Sequence, residues 1–330
     1  MNFQNCVNNS VGNVVGYFIF WLGFLFSINT VLAAQLTPEQ RASKLAGLVS
    51  YNIGNPALAA DELEVAARAG DPDAQYYLGE IERHKTMLMN PAAHFWYVSA
   101  ARGGDLFAML RLIYSNDDDS ITSKPPARSK TTVQWRNVAL RQARTKARAG
   151  DSEAMLVLYF LDGNLEWLVR SARAGLPESQ FKLARVYQIG GGVFFNSTDR
   201  SREIRKWIIA AANGNHVPAI RVLIKELKDY QREESTEWAR NAIRLGDLDT
   251  TFEYHDIDMG EEHRSVSSYG LLSLIADSDV ATGIAEKTAR KMADLRKKMT
   301  PQQLQAGAAF AEEWKKTHPP LSRFLPKYGY

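Results

Sequence analysis

Small and large apolar residues recur at fixed offsets around a series of positions suited to reversing the chain. Those positions are Gly70, Gly104, Gly150, Gly175, Asn215 and Gly246. Four residues after each stands a small side chain: Ala74, Ala108, Ala154, Ser179, Ala219 and Thr250. Eight residues after each stands a large one: Leu78, Leu112, Leu158, Leu183, Leu223 and Tyr254. Three residues before are Ala67, Ala101, Ala147, Ala172 and Ala212, with Ile243 the departure. Eight residues before four of the reversals stands a tryptophan: Trp96, Trp167, Trp207 and Trp238. Offsets of four and eight lie one above the other on a helix. The small residue admits a neighbouring helix and the large one fills the space that remains. Glycine at the reversal ends the preceding helix in the left-handed region, and asparagine is the usual substitute. The shared offset of the tryptophans predicts burial at equivalent places in the core. A self-similar unit of this size predicts a stacked array of antiparallel helix pairs.

The array has ends and one interruption. Thr37-Pro38-Glu39-Gln40 and Thr300-Pro301-Gln302-Gln303 each read as a helix start, with Thr as cap and Gln as its capping-box partner. The second opens a helix through Phe310 and Trp314 to about Lys316, stopped by His318-Pro319-Pro320. Another helix is predicted from Ala281 to Lys298. These outer helices, with residues 34–60 at one end and 263–330 at the other, suit the atypical terminal units that cover an array's last apolar faces. Residues 61–262 form the array. Residues 115–132 lack apolar periodicity and carry Asp117, Asp118, Asp119 and Lys124-Pro125-Pro126, which predicts an exposed loop. Such an insertion either contacts a partner or is tolerated length variation.

The repeat resembles the Sel-1-like family, a relative of the tetratricopeptide repeat. Its second-helix pattern matches Ala92 to Gly104, with Trp96, Ala100 and Ala101 in place. Its turn matches Tyr187-Gln188-Ile189-Gly190-Gly191-Gly192-Val193, followed by Asp199, Trp207, Ala211 and Ala212. The resemblance covers about residues 60–255, with anchors at uneven intervals, so connections are trimmed or inserted. It implies an all-α, right-handed α-solenoid with helical end caps.

Residues 1–34 hold no charged side chain, and Val14 to Leu32 is strongly apolar. Small side chains at Val31 and Ala33 suit export with cleavage after residue 33. The missing basic leader and a run near the ~20 residues that span a bilayer leave an uncleaved anchor as the alternative. Either outcome puts the array outside the cytoplasm, in the periplasm or facing it from the inner membrane. Membrane contact would then be confined to residues 14–32, and only if they are retained. Cys6 is the only cysteine and precedes the apolar run, so the processed chain would have no disulfide.

The net charge of +3 gives no nucleic-acid footprint. Gly190-Gly191-Gly192 lacks the Gly-Lys-Ser/Thr that a phosphate loop needs. His255, Asp256, Asp258, Glu261, Glu262 and His263 have neither zinc nor calcium-loop spacing and read as a solvated acidic loop. No histidine lies in a nucleophile motif. No catalytic, metal or cofactor residue is assigned, and no small-molecule substrate. Lys182, Arg185, Arg221 and Lys225 fall in equivalent regions of adjacent units. They form either a basic strip for an acidic partner surface or ordinary solvated helix surface.

The function that follows is binding of another protein. Exported single-domain members of the resembled family at about this length are similar to immunity proteins. Those neutralise type VI secretion effectors, notably phospholipase toxins acting in the periplasm, and the resemblance implies occlusion of the toxin's active-site cleft. An envelope-assembly or signalling adaptor, and a cell-wall-associated enzyme, are the other classes left open.

Overall fold

Each reversal does two jobs within two residues. The computed structural model describes residues 35–86, 88–114, 130–260, 264–278, 280 and 282–327, and all six anchors there have positive φ, from 62° at Asn215 to 93° at Gly70 and Gly175. The Gly70 amide donates to the Ala67 carbonyl and the Asp71 amide to that of Ala66, which closes the preceding helix as a Schellman motif. The Asp71 carboxylate then accepts from the Ala74 amide and caps the next helix. Asp105, Asp151 and Asp247 repeat the second job. Leu176 and His216 stand at the same step and cap nothing with their side chains.

Sixteen helices result among the described residues: α1 Pro38–Ile53, α2 Pro56–Arg68, α3 Pro72–Thr86, α4 Pro91–Arg102, α5 Leu106–Tyr114, α6 Lys130–Arg148, α7 Ser152–Asp162 and α8 Leu165–Arg173, then α9 Pro177–Gln188, α10 Ser197–Asn213, α11 Val217–Leu227, α12 Arg232–Arg244, α13 Leu248–Glu253, α14 Arg264–Ala276, α15 Thr282–Arg296 and α16 Pro301–Thr317. Consecutive helices pack on one another through the array, so the fold is an all-α solenoid of antiparallel pairs. Both capping boxes are present, at Thr37 and Thr300. No described helix is long and apolar enough to cross a membrane, and residues 14–32 lie outside the described residues.

The predicted core columns are buried. Ala74, Ala108, Ala154, Ser179, Ala219 and Thr250 are buried, as are Ala67, Ala101, Ala147, Ala172, Ala212 and Ile243. The large column is buried from Leu78 to Leu223. Tyr254 is only half-buried because α13 ends at Glu253, one residue before it.

The tryptophans require a correction. Trp96, Trp167, Trp207 and Trp238 occupy equivalent places, but each is half-buried rather than core. The buried position is the next one along: Tyr97, Leu168, Ile208 and Ala239, with Leu63 and Ala143 at the same offset in the units lacking tryptophan. One step is about 100° of helix rotation, which carries the indole from the core to its margin. There two of the four lie under cations: Arg170 sits 4.7 Å from the Trp167 ring centre and Lys206 5.2 Å from that of Trp207.

The interruption is shorter than predicted at its far side, since α6 already begins at Lys130. Asp117, Asp118 and Asp119 lie outside the described residues, as do Glu261, Glu262 and His263. At the C-terminal end α14 and α16 touch backbone to backbone, where a Cβ on Gly270 would come within 2.8 Å of the Gly307 carbonyl. After Thr317 the chain leaves helical structure. Leu321 joins an apolar cluster with Ile53, Ile243, Leu248 and Leu271, so α1 and α14 share one core.

Candidate functional site

Residues 318–327 form a strap that, from Ser322 onward, meets odd-numbered helices. Ser322 pairs with the Gly246–Leu248 backbone on entry to α13, its amide donating to Gly246 and its carbonyl accepting from Leu248. The Arg323 amide donates to the Asn52 carbonyl of α1, and Arg221 of α11 reaches the Arg323 carbonyl. Pro326 borders a cavity lined by α7, α9 and α11. Lys327 ends on α3 and on the step into α5. One ten-residue segment can meet α1, α3, α7, α9, α11 and α13 only if their shared face curves around it. That face is the inner face of the solenoid.

The seat of Lys327 is built from two steps of the array. Its ammonium donates to Asp73 at 2.8 Å and Asp105 at 2.9 Å, and lies 5.1 Å from the Tyr76 ring centre and 5.3 Å from that of Phe107. The Tyr76 hydroxyl donates to the Lys327 carbonyl. Burial alone would lower the Lys327 ammonium, but the Asp105 and Asp73 carboxylates outweigh it and hold it above the ordinary lysine value. Burial would likewise raise Asp73, and Lys327 and Lys44 together hold it below. Behind the seat, Glu80 is buried and takes Arg111 at 2.5 Å, Arg83 at 2.9 Å and the Tyr97 hydroxyl at 2.8 Å. That carboxylate is already matched, so the negative charge facing Lys327 is that of Asp73 and Asp105.

The other half of the inner face has opposite character. At α9 and α11 the capping aspartates are replaced by Leu176 and His216, and the acidic step is lost. A cavity of about 370 Å³ lies there, lined by Tyr159, Glu178, Phe181, Lys182, His216 and Pro326 among others. Burial pushes the Glu178 carboxyl up and the Lys182 ammonium down. It pushes His216 down to about 4. Lys182 stands 4.9 Å from the Phe160 ring centre. Ile189 extends the cavity rim outward, and Val193 and Phe195 beyond it are fully exposed.

The four basic residues singled out in the sequence separate here. Lys182 and Arg185 both line the cavity, Arg185 exposed and bonded to Gln188. Arg221 grips Asp247 with two nitrogens and reaches Asp249 at 3.1 Å, so it fastens α11 to α13 beneath the strap. Lys225 is exposed one turn further along α11. The glycine turn offers no phosphate cradle, because the Gly190 and Gly191 amides already donate to the Tyr187 and Val186 carbonyls. Among the described residues no three His, Cys, Asp or Glu side chains converge as metal ligands. His255 instead meets Ser268 at 2.8 Å and Lys291 at 2.9 Å.

The sequence reading did not single out Asp73, Tyr76, Asp105, Phe107, Glu178 or Lys327. One signal was available: the pairs Gly70-Asp71, Gly104-Asp105, Gly150-Asp151 and Gly246-Asp247, broken at Gly175-Leu176 and Asn215-His216.

No family model and no curated protein matches the chain. Solved structures similar to it include two Sel1-repeat proteins. One is a protective antigen of uropathogenic Escherichia coli displaying an SLR fold, at 18% identity over 86% of this chain, with a TM-score of 0.42. This chain spans 62% of that structure's length. The other is a Sel1 repeat protein from Oxalobacter formigenes, at 21% identity over 63% of this chain and 88% of that one, with a TM-score of 0.35.

Proposed function

We propose that this chain is a Sel-1-like repeat scaffold that binds another protein on its inner face. The observation that carries this reading is the strap. The face holds an extended polypeptide through backbone pairing, a buried cation and an apolar anchor, which are the means by which repeat scaffolds hold partners. The cavity beside Pro326 supplies a place for a partner's apolar anchor. Lys182, Arg185 and Lys225 would meet acidic groups around it.

At the finer level we propose a periplasmic immunity protein that occludes a type VI secretion effector of the phospholipase class. Export through residues 1–33 belongs to the same proposal. Affinity capture of the exported protein, followed by deletion of its gene, tests both levels. The proposal predicts one dominant protein partner and cell death only when the cognate effector reaches the periplasm of the deletion strain. Recovery of envelope-assembly components without a toxin phenotype would make it an adaptor instead.

A further inference from the structure

The strap is fastened unevenly. Its first half is fixed at its end, with Leu321 buried and Ser322 paired on both sides. Its second half is strained. Phe324 sits at φ 53°, in the left-handed region that a bulky residue rarely occupies. The Arg323 Nε is buried without a partner among the described residues. Leu325 is 43% exposed, although it is a leucine in a segment lying on an apolar face. Beyond Leu321, what holds this half is chiefly Lys327 in its seat.

The seat is more specific than the strap that fills it. Two carboxylates and two aromatic faces converge on a point where an ammonium gains from both kinds of contact. Left empty, the seat would leave the buried Asp105 carboxylate without its cation, while the partly exposed Asp73 would keep only Lys44. It therefore needs a cation. It also opens onto a cavity of about 250 Å³ lined by Lys146, Asp151 and Glu153 among others, which leaves room for a longer side chain than the one present.

We propose that the Asp73–Asp105–Tyr76–Phe107 seat is a cation subsite for a partner protein, and that residues 324–327 are a built-in competitor. The partner binds by offering a lysine or arginine on an extended segment, which takes the seat as Lys327 leaves it. The exchange conserves the ion pairs, relieves the strain at Phe324 and lifts Pro326 from the edge of the larger cavity. It turns at Ser322, because the pairing on both sides of that residue keeps the first half of the strap in place. The inference rests on the protein-binding reading above, but its test uses the chain's own sequence as the probe. A failure here therefore leaves that reading standing, and a failure to find a cellular partner leaves this one standing.

The probe is a labelled synthetic peptide of residues 318–327, followed by fluorescence anisotropy against the full chain. An attached competitor acts at an effective concentration in the millimolar range, so the unaltered chain should bind the peptide weakly. A Lys327→Ala chain should bind it at least tenfold more tightly, and the same substitution within the peptide should abolish that gain. Amide exchange on the unaltered chain gives a second reading that needs no variant. Millimolar peptide should speed exchange at the Arg323 amide, which donates to Asn52. Equal affinity for both chains, a gain that ignores the peptide's lysine, or Arg323 exchange unmoved by millimolar peptide would each make the strap a permanent clasp and overturn the proposal. If the Lys327→Ala chain fails to fold, the exchange result decides alone.

Discussion

Gly70 and Gly246 share a backbone conformation but should not share a cost of replacement. At Gly70, with φ 93°, an added Cβ meets nothing within 4 Å, so Gly70→Ala carries only the left-handed penalty of about 1–2 kcal/mol. At Gly246, with φ 83°, the same atom would lie 2.6 Å from the Pro320 carbonyl. Gly246→Ala should cost clearly more and loosen the strap, which urea denaturation of the two variants will show. Leu183 is fully buried mid-array, and Leu183→Ala should cost about 2–5 kcal/mol through the cavity it leaves. His216 ties stability to pH. Its folded value of about 4 lies below the unfolded value of about 6.5. The unfolded chain therefore takes up the proton first, and stability falls as pH drops through that window. Between pH 7 and 5 the loss should be about 2 kcal/mol, and His216→Asn should remove that slope in pH-dependent denaturation. The anchors and small columns were legible at this scale because each acts within its own turn of chain. The tryptophans were misread because a fixed offset records an equivalent place, whereas burial depends on which way a helix faces its neighbours.

Among elements, the informative contrast is between steps that keep a capping aspartate and steps that lose it. Asp105 both caps α5 and holds Lys327, while the steps into α9 and α11 give up the carboxylate and border the larger cavity. Replacing Lys182 and Arg185 together by Glu should lower the denaturation midpoint modestly, since Arg185 is exposed but a carboxylate at 182 would face Glu178 one turn away. The same change should weaken binding to an acidic partner, chiefly by slowing association. Arg221→Glu is expected to behave differently. It leaves Asp247, buried and facing a like charge, without its guanidinium, so stability should fall by several kcal/mol before any binding effect is read. Equivalent sequence positions thus carry unequal roles. Sequence alone gave Arg221 the look of its neighbours because Asp247 and Asp249 approach it only once α11 and α13 have stacked.

On the scale of the molecule, the strap is the feature that sequence could not supply. Helices, caps and reversals are set by residues a few positions apart. The Lys327–Asp73 pair joins positions 254 apart, and residues 318–327 carry no periodicity to announce a destination. Once the solenoid curls, its odd-numbered helices present one face, and the strap shows that this face accepts an extended chain. We place partner binding on the inner face. Hydrogen exchange of the full chain, alone and with the captured partner, tests it most directly. New protection is expected along α9 and the start of α11, from Lys182 to Ile189 and at Val217–Ile220, with the outward helices α8 and α10 unchanged. Protection confined to α8 and α10, with α9 and α11 exchanging as before, would contradict it.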